Sequence, residues 1–226
     1  MSVRTVALVA AHDEADRIGA TVEALDALVD EVVVVDDGSG DRTASAALVA
    51  GATVLRASRR LGKGRALEEA LDRLEPADVW LFADADLGVT AGVLGPLVER
   101  VRTSRADIAI AAFPRLPGGG FGLVKRVASG TIRRLSGFHA REPLSGQRAV
   151  SAAALTAVRP LAPGFATEAA MTIDAVRAGL RIVEVPIDGL SHRPTGRGPR
   201  GFAHRGRQGL DILRAAAVRL VPRRRR

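Results

Sequence analysis

The sequence of 226 residues contains no cysteine and no tyrosine, and only 3% of its residues are aromatic. The absence of cysteine excludes disulfide scaffolds, thiolate zinc sites and cysteine nucleophiles. No apolar run approaches the roughly 20 residues that a membrane-spanning helix needs, and no signal peptide precedes the first strand-like segment. We therefore expect a cytoplasmic protein that is either soluble or peripheral at the inner face of a membrane.

Positive charge is concentrated near the C-terminus. The net charge is +8, yet residues 193–226 contain eleven arginines and one acidic residue, so the remainder is nearly neutral. Such a basic segment favours phosphate groups, either in a ligand or on an anionic membrane surface; the alternative is a solvated, arginine-rich tail. Because the net positive charge is confined to one segment and aromatic residues are few, we expect no nucleic-acid partner.

Short apolar runs alternate with segments of helical periodicity through most of the sequence. Continuous apolar strands separated by helices are typical of a parallel sheet that is covered on both faces. The pattern therefore predicts an α/β fold with a mostly parallel, Rossmann-like sheet. The predicted strands are 3–10, 31–35, 53–56, 79–83, 108–112 and 181–187, and the predicted helices are 14–28, 42–50, 64–74, 91–102, 121–135, 164–179 and 208–221.

Two acidic clusters follow predicted strands. Asp36 and Asp37 follow the second strand, and Asp84 and Asp86 follow the fourth. Ligands of parallel sheets bind outside the carboxyl ends of the strands, and two carboxylates two positions apart suit a divalent cation that bridges a diphosphate. The alternative is that acidic residues are merely tolerated in loops, but two clusters at such ends favour a ligand site.

Two glycines and a lysine lie at the start of the helix predicted at 64–74. The segment Gly62-Lys63-Gly64 places free backbone N–H groups and a cation where an anion is favoured. The glycine spacing of a P-loop is absent before the lysine, and no GxGxxG motif follows the first strand. We therefore expect neither a P-loop nor a dinucleotide-binding Rossmann domain.

Four segments together resemble the family 2 inverting glycosyltransferases, which have the GT-A (nucleotide-diphospho-sugar transferase) fold. The segments are Ala11-His12-Asp13-Glu14, Val35-Asp36-Asp37-Gly38-Ser39-Gly40-Asp41-Arg42-Thr43, Gly62-Lys63-Gly64-Arg65-Ala66-Leu67 and Asp84-Ala85-Asp86-Leu87. The resemblance is greatest to the dolichyl- and polyprenyl-phosphate hexose synthases and covers residues 3–205. It implies a catalytic domain over 1–205, with a donor half at 1–112 and an acceptor half at 113–205, followed by a basic C-terminal helix or tail at 206–226.

The resemblance implies a nucleotide-sugar donor, either UDP- or GDP-linked, and Mg²⁺ or Mn²⁺ as cofactor. Asp84 and Asp86 would hold the metal ion against the diphosphate, and Glu14 with Asp36 or Asp37 would contact the base and the ribose. The donor-binding residues that it implies are Ala11, Asp13, Glu14, Asp36, Asp37, Lys63, Asp84, Ala85 and Arg193.

The acceptor half contains a further matching segment. The segment Arg141-Glu142-Pro143-Leu144-Ser145-Gly146 resembles the family's Arg-Asp-Pro-Thr-Ser-Gly, which implies that Arg141 and Ser145, with Arg126, bind an acceptor phosphate. The resemblance thus predicts a metal-assisted enzyme that transfers a hexose to a polyprenyl phosphate with inversion. Two alternatives stay open: the same donor chemistry on a soluble phosphorylated small acid or sugar, and a non-catalytic basic binding module.

The catalytic residues implied by the resemblance are Asp86, Arg141 and Glu168. The metal ion at Asp86 would neutralise the leaving diphosphate, and Arg141 would hold the acceptor. A phosphate acceptor is already anionic, whereas a hydroxyl acceptor needs a carboxylate base. Glu168 lies where related enzymes often place an acid near the acceptor; the alternative is a first-turn helix acid favoured by the helix dipole.

The glycine-rich segment after residue 191 predicts a lid that closes over the donor. The alternative is that its polar side chains are ordinary exposed loop residues. The residues of the predicted lid are His192, Arg197, His204, Arg205 and Gln208.

Overall fold

The computed structural model describes residues 3–113, 122–191 and 217–219. In these ranges the strands are β1 (Thr5–Ala11), β2 (Glu31–Asp36), β3 (Thr53–Arg56), β4 (Val79–Asp84), β5 (Ile108–Ala112), β6 (Arg148–Ser151) and β7 (Ile182–Pro186). The α-helices are α1 (Ile18–Asp26), α2 (Thr43–Val49), α3 (Lys63–Leu71), α4 (Gly95–Arg102), α5 (Gly122–Ser136), α6 (Ala152–Val158) and α7 (Thr167–Arg177).

The strands form one seven-stranded sheet in the order β3-β2-β1-β4-β6-β5-β7. All neighbouring pairs are parallel except those of β6, which lies antiparallel between β4 and β5 and pairs Val150 with both Trp80 and Ile108. The prediction of a mostly parallel α/β sheet is therefore confirmed. The carboxyl ends of β1, β2 and β4 meet at one edge, where the acidic clusters of the sequence lie.

Apolar side chains cover both faces of the sheet because alternate residues of a strand point to opposite faces. In β2, Val32 and Val34 belong to the apolar cluster on the α1 side of the sheet, whereas Val33 and Val35 belong to the cluster on the α3 side. All four valines are at most 3% exposed. This two-sided burial explains why the strand reads as an unbroken run of valines.

Two predicted helices begin later than expected. The carbonyl of Glu14 accepts the N–H groups of both Arg17 and Ile18, so a turn precedes α1. The predicted helix at 91–102 divides into a 3₁₀ stretch, Gly88–Leu94, followed by α4. The Pro96 ring fits at the start of α4, where a helix does not need the missing N–H.

The sequence pattern missed β6 and α6. Strand β6 has four residues and begins with a charged one, Arg148, so it shows no apolar run. Helix α6 follows it directly and is capped by the Ser151 hydroxyl, which accepts the N–H of Ala154. A serine before an alanine-rich segment was the signal that could have revealed this helix.

Helix α5 confirms the helix predicted at 121–135, and its apolar face belongs to the core. Ala128 and Ile132 are fully buried, and Ile132 packs with Ala169 and Ile173 of α7. No helix among the described residues is both long and apolar enough to span a membrane.

Most of the helix predicted at 208–221 lies outside the described residues, but 217–219 is helical. Arg219 forms an ion pair with Asp174 of α7, both side chains being 10% exposed, and its Nε lies 2.9 Å from Asp174 Oδ1. This part of the basic segment therefore docks on the domain. The division into donor half, acceptor half and tail stays a prediction.

Candidate active site

The loops after β1 and β2 are bound to each other. Asp13 Oδ1 accepts the N–H of Gly40 at 2.8 Å, and Ser39 Oγ accepts the N–H of Asp13 at 3.0 Å. The N–H of Glu14 donates to the Thr43 hydroxyl at 2.9 Å. Asp13, Glu14 and Ala11 are thus held close to the end of β2, as a shared donor site requires.

Asp36 and Asp37 are both buried at the end of β2. Both oxygens of Asp37 accept backbone N–H groups from the segment before α3, from Leu61 at 2.6 Å and from Gly62 at 2.8 Å. Asp36 Oδ1 accepts the N–H of Ser39 at 2.9 Å, and Asp36 Oδ2 lies 3.1 Å from Arg56 Nε. The carboxylates therefore shape the loops; their contact with a base or ribose stays a prediction.

Lys63 joins the two halves of the site. Its Nζ lies 2.6 Å from Asp84 Oδ1 at the end of β4 and 2.9 Å from Glu168 Oε1 in the first turn of α7. Burial opposes the charged ammonium, but the two carboxylates outweigh it and raise the pKa of Lys63 above its ordinary value. The sequence predicted an anion-binding lysine, and the structure supplies carboxylate partners for it.

Asp84 is held from a second side by Gln147, a residue that the sequence analysis did not select. Gln147 Nε2 donates to Asp84 Oδ2 at 2.6 Å. Gly146 lies beside the Lys63–Asp84 pair. A Cβ atom at this position would be 2.6 Å from Lys63 Nζ and 2.8 Å from both Asp84 oxygens. Any larger side chain at 146 would displace Lys63 or Asp84, so the Ser-Gly of the predicted acceptor segment lies directly against Asp84.

Helix α1 supports the turn at Asp84-Ala85-Asp86 from behind. The hydroxyl of Thr21, fully buried, donates to the Ala85 carbonyl at 2.9 Å and accepts the N–H of Gly88 at 2.8 Å. Arg17 Nη1 donates to the Asp86 carbonyl at 3.0 Å. These contacts fix the backbone on which Asp86 stands.

The turn suits a divalent cation that is shared with a diphosphate. Within 3–113, 122–191 and 217–219, no group of three or more His, Asp or Glu side chains could hold a metal ion. Mg²⁺ commonly takes one or two protein carboxylates and completes its shell with water and phosphate oxygens. Asp84 and Asp86 therefore fit an ion that arrives with a nucleotide and not a fully protein-bound one.

The acceptor segment is anchored to the edge strand β7. Glu184 Oε1 accepts the N–H groups of both Arg141 and Glu142 at 2.8 Å, and Glu142 Oε1 lies 2.7 Å from Lys125 Nζ. The Arg141 side chain is exposed, as is that of Arg126 on α5. Both guanidinium groups are accessible to an anionic acceptor.

The other predicted acceptor residue, Ser145, is buried. Its hydroxyl donates to Gln147 Oε1 at 3.3 Å. The hydroxyl is thus one step from Asp84 through Gln147. Its contact with an acceptor phosphate stays a prediction.

The predicted lid and one predicted donor contact cannot be placed. These residues, His192, Arg193, Arg197, His204, Arg205 and Gln208, lie outside the described residues. Ser191, the last residue before them, donates its N–H to the Thr90 hydroxyl at 3.1 Å.

Residues 6–153 match the sequence profile of the family described as glycosyl transferase family 2. This chain belongs to glycosyl transferase family 2. The expected family and the expected GT-A fold are thereby confirmed. The match ends at residue 153, so it covers all the donor-side motifs and the acceptor segment.

Several of the similar proteins are glucosyl-3-phosphoglycerate synthases. That of Mycolicibacterium paratuberculosis is 33% identical in an alignment of 220 positions, which covers 84% of this chain and 66% of that protein, just under two thirds of its length. The structure of the Mycobacterium tuberculosis synthase with Mn²⁺, UDP and glucosyl-3-phosphoglycerate has a TM-score of 0.82 and 26% identity, covering 96% of this chain and 80% of that one. A complex of that enzyme with Mg²⁺ and UDP has a TM-score of 0.82 and 27% identity, covering 96% and 79%.

These comparisons correct the predicted acceptor. The expected transfer to a polyprenyl phosphate is wrong, because the similar proteins are named for a glucosylated phosphoglycerate, and one solved complex contains UDP-glucose with phosphoglyceric acid. The membrane surface expected as a partner has no support either. The donor-side motifs at 11–87 are common to the family and do not distinguish acceptors, which is why the sequence misled here.

Proposed function

We propose that this glycosyltransferase transfers glucose from UDP-glucose to 3-phosphoglycerate or a closely related small phosphorylated acid, with inversion at the anomeric carbon. The observation that carries the proposal is the Lys63 bridge, which brings Asp84 of the donor side and Glu168 of the acceptor side to one ammonium group. A transferase that joins two substrates needs such a meeting point. The Mycobacterium tuberculosis complexes with UDP and phosphoglycerate ligands support the substrate assignment.

A hydroxyl acceptor requires a base in the protein, which an anionic phosphate acceptor does not. The acceptor oxygen forms the new bond to the anomeric carbon, the bond from that carbon to the diphosphate breaks, and the hydroxyl proton must go to a base. Glu168, 8% exposed and facing the Lys63 ammonium, is the described carboxylate that we assign to this role. The alternative of a first-turn helix acid does not explain why Lys63 reaches it.

Asp86 would hold the metal ion, with Asp84 beside it. A bound Mg²⁺ or Mn²⁺ supplies positive charge to the leaving diphosphate. Both oxygens of Asp84 also accept hydrogen bonds, from Lys63 and Gln147. Arg141, Ser145 and Arg126 would bind the acceptor phosphate, Arg141 with the largest share because it is exposed beside the site.

Transfer to a panel of acceptors tests the proposal. The chain is incubated with UDP-glucose and Mn²⁺, and the products are measured by mass spectrometry and UDP release. We expect turnover with 3-phosphoglycerate, weaker turnover with glycerol 3-phosphate, which lacks the carboxylate, and none with glycerate, which lacks the phosphate. EDTA and the Asp86→Asn variant should abolish transfer.

Thermal unfolding separates failure of the donor assignment from failure of the acceptor assignment. Stabilisation by UDP-glucose with Mn²⁺, but no acceptor in the panel consumed, would refute only the acceptor class. No stabilisation by any nucleotide sugar would refute the donor.

Substitution of Arg141 tests the acceptor assignment within the chain. Arg141→Ala should raise the KM for 3-phosphoglycerate roughly 10- to 100-fold, the effect of one lost hydrogen bond to a charged group, while donor binding is unchanged. The exposed Arg134→Ala on α5 is the matched control and should alter neither constant. Equal constants for both variants would remove Arg141 from the acceptor site.

A further inference from the structure

Arg148, at the start of β6, is a buried charge that the proposed reaction does not use. It is one of the largest of the described side chains that are less than 2% exposed. Because β6 lies between β4 and β5, Arg148 starts a central strand and not an edge. The burial lowers the pKa of Arg148 to about 10, so the guanidinium still carries its charge at neutral pH.

The guanidinium donates to oxygens of two separate segments. Nε donates to the Ser145 carbonyl at 2.8 Å, and Nη2 lies 3.5 Å from the Pro143 carbonyl, both in the acceptor segment. Nη1 donates to the Glu168 carbonyl and to the Thr172 hydroxyl, each at 2.9 Å, both in α7. The planar group thus connects the acceptor segment to the first turn of the helix that contains Glu168.

Packing alone does not explain an arginine at this position. Val150, two residues further along the same face of β6, is fully buried in the apolar core. A buried charge is costly unless its hydrogen bonds are satisfied, so packing alone would favour an apolar side chain at this position. The rigid fork of a guanidinium, in contrast, fixes several acceptors in one geometry.

We propose that Arg148 is a positioning residue that sets Glu168 against Lys63 and the acceptor segment by holding the Glu168 and Ser145 carbonyls. The inference rests on the proposed function, in which Glu168 takes the acceptor proton. Arg148 binds the main-chain carbonyl of Glu168 itself. A shift of the first turn of α7 would therefore move the Glu168 Oε1 atom away from Lys63. Arg148 itself touches neither reacting substrate.

The variant Arg148→Met tests this role by kinetics. We expect kcat to fall roughly 100-fold, since a displacement of about 1 Å in a catalytic group has that effect, while the KM for UDP-glucose stays within twofold. In the Glu168→Gln background the same substitution should cost nothing further. Val150→Ala is the matched control, because it weakens the same strand face and should lower the melting temperature without lowering kcat.

A crystal structure of Arg148→Met supplies a readout that does not depend on turnover. We expect the Glu168 Oε1 to Lys63 Nζ contact to lengthen beyond hydrogen-bond distance. If that contact is retained, or if kcat is unchanged, Arg148 is a packing residue and the inference is wrong. If the wild-type enzyme shows no transfer and the Glu168–Lys63 contact is unaltered in Arg148→Met, both proposals are refuted. If the wild type shows no transfer but the contact is lost in Arg148→Met, only the proposed function is refuted.

The variant Arg148→Lys covers the case in which Arg148→Met does not fold. Lysine keeps the charge but lacks the planar guanidinium group that binds the acceptor segment and α7 at the same time. We expect an intermediate fall in kcat with the same loss of the Glu168 contact. A variant with full kcat and an intact contact would contradict the proposal.

Discussion

The predicted donor and acceptor sides of the site differ in their most buried charge, a carboxylate on the donor side (Asp36, 0% exposed) and a guanidinium on the acceptor side (Arg148, 1% exposed). On the donor side, carboxylates accept backbone N–H groups: Asp37 binds the segment before α3, and Asp13 binds the loop after β2. On the acceptor side, the guanidinium of Arg148 donates to backbone carbonyls of the acceptor segment and of α7. The comparison shows that charged side chains, whether buried or exposed, fix the backbone of the loops around the candidate site.

The side chains that we assign to the ligands also differ in sign between the two sides. A donor site built from carboxylates needs a cation before it can accept a diphosphate, and Asp84 and Asp86 are the residues that we propose hold it. An acceptor site built on arginines attracts a phosphorylated acid directly. The two sides meet at Lys63, the cation that is shared by Asp84 and Glu168.

Removing that shared cation should have the largest effect. In Lys63→Met, the Asp84 and Glu168 carboxylates lose the cation that lies between them, which costs about 3 kcal/mol at sites that are mostly buried. We expect a lower free energy of unfolding in urea at pH 7 and loss of transfer. A variant as stable as the wild type would show that the two sides are held together independently of Lys63.

The pH dependence of stability sharpens the same test. Since the folded state raises the pKa of Lys63 above its ordinary 10.5, its contribution is complete below that pH and is lost as the pH rises through the higher folded value. The stability difference between wild type and Lys63→Met should therefore be constant to about pH 10 and shrink above it. The sequence has no tyrosine or cysteine and only one other lysine, so few other side chains titrate there. A difference that shrinks between pH 6 and 9 would contradict the assignment.

Closing the space at Gly146 should have the next largest effect. In Gly146→Ala the added methyl group lies 2.6 Å from Lys63 Nζ and 2.8 Å from the Asp84 oxygens, so the bridge must open. Overpacking of this kind costs about 1–3 kcal/mol. We expect transfer to fall at least roughly 100-fold, as for a displaced catalytic group, with UDP-glucose binding measured in parallel by calorimetry.

An exposed glycine provides the control for Gly146. At Gly130 of α5 an added Cβ would meet no atom within 4 Å, and alanine favours a helix interior by about 1 kcal/mol over glycine. Gly130→Ala should therefore be as stable as the wild type or more so, with unchanged transfer. If the Gly146 variant behaved in the same way, the close approach at Asp84 would have no functional meaning.

The fold was predictable because the central strands are buried on both faces. The valine run of β2 indicates a buried strand, and the observed strand is one residue longer than the predicted 31–35. Strand β6 was not predictable, since only four residues pair and the first is Arg148, whose partners are carbonyls distant in sequence. Local periodicity does not reveal a residue that serves tertiary hydrogen bonds.

The site was predictable where a motif specifies the backbone and less so where side chains meet across the fold. Asp84, Asp86 and Lys63 were selected from the sequence. The contacts of Lys63 with Asp84 and Glu168 span 21 and 105 positions of sequence, and that of Gln147 with Asp84 spans 63. Thr21 carried no signal at all, since it reads as an ordinary helix residue. The acceptor was misjudged because a short Arg-to-Gly segment does not specify the molecule to which the sugar is transferred.

Weakening the support behind the metal turn should have a moderate effect. Thr21→Val keeps the shape of the side chain but leaves the N–H of Gly88 without its hydroxyl acceptor, at a cost of about 1–2 kcal/mol. We expect a several-fold loss of Mn²⁺ affinity in the presence of UDP, because the turn carrying Asp86 is less firmly held.

Thr5 on β1 is the matched control for Thr21. It is 2% exposed, and its hydroxyl makes no hydrogen bond within the part of the chain that the structure describes. Thr5→Val should therefore be neutral or stabilising. An equal loss in both variants would attribute the effect to the core and not to the turn.

The smallest effect is expected from a second ion pair on α3, two residues from Lys63. Arg65 and Glu69 form an exposed pair one turn apart, with Nε 3.2 Å from Oε1 and side chains 60% and 42% exposed. Water screens such a pair, so Arg65→Met should cost about 0.3–0.5 kcal/mol and leave transfer unchanged. Because Lys63→Met and Arg65→Met each remove one cation from the same helix, the difference between them isolates the contribution of joining the two sides of the site. A loss of transfer in Arg65→Met would mean that the net charge of α3, and not the Lys63 bridge, supports the reaction.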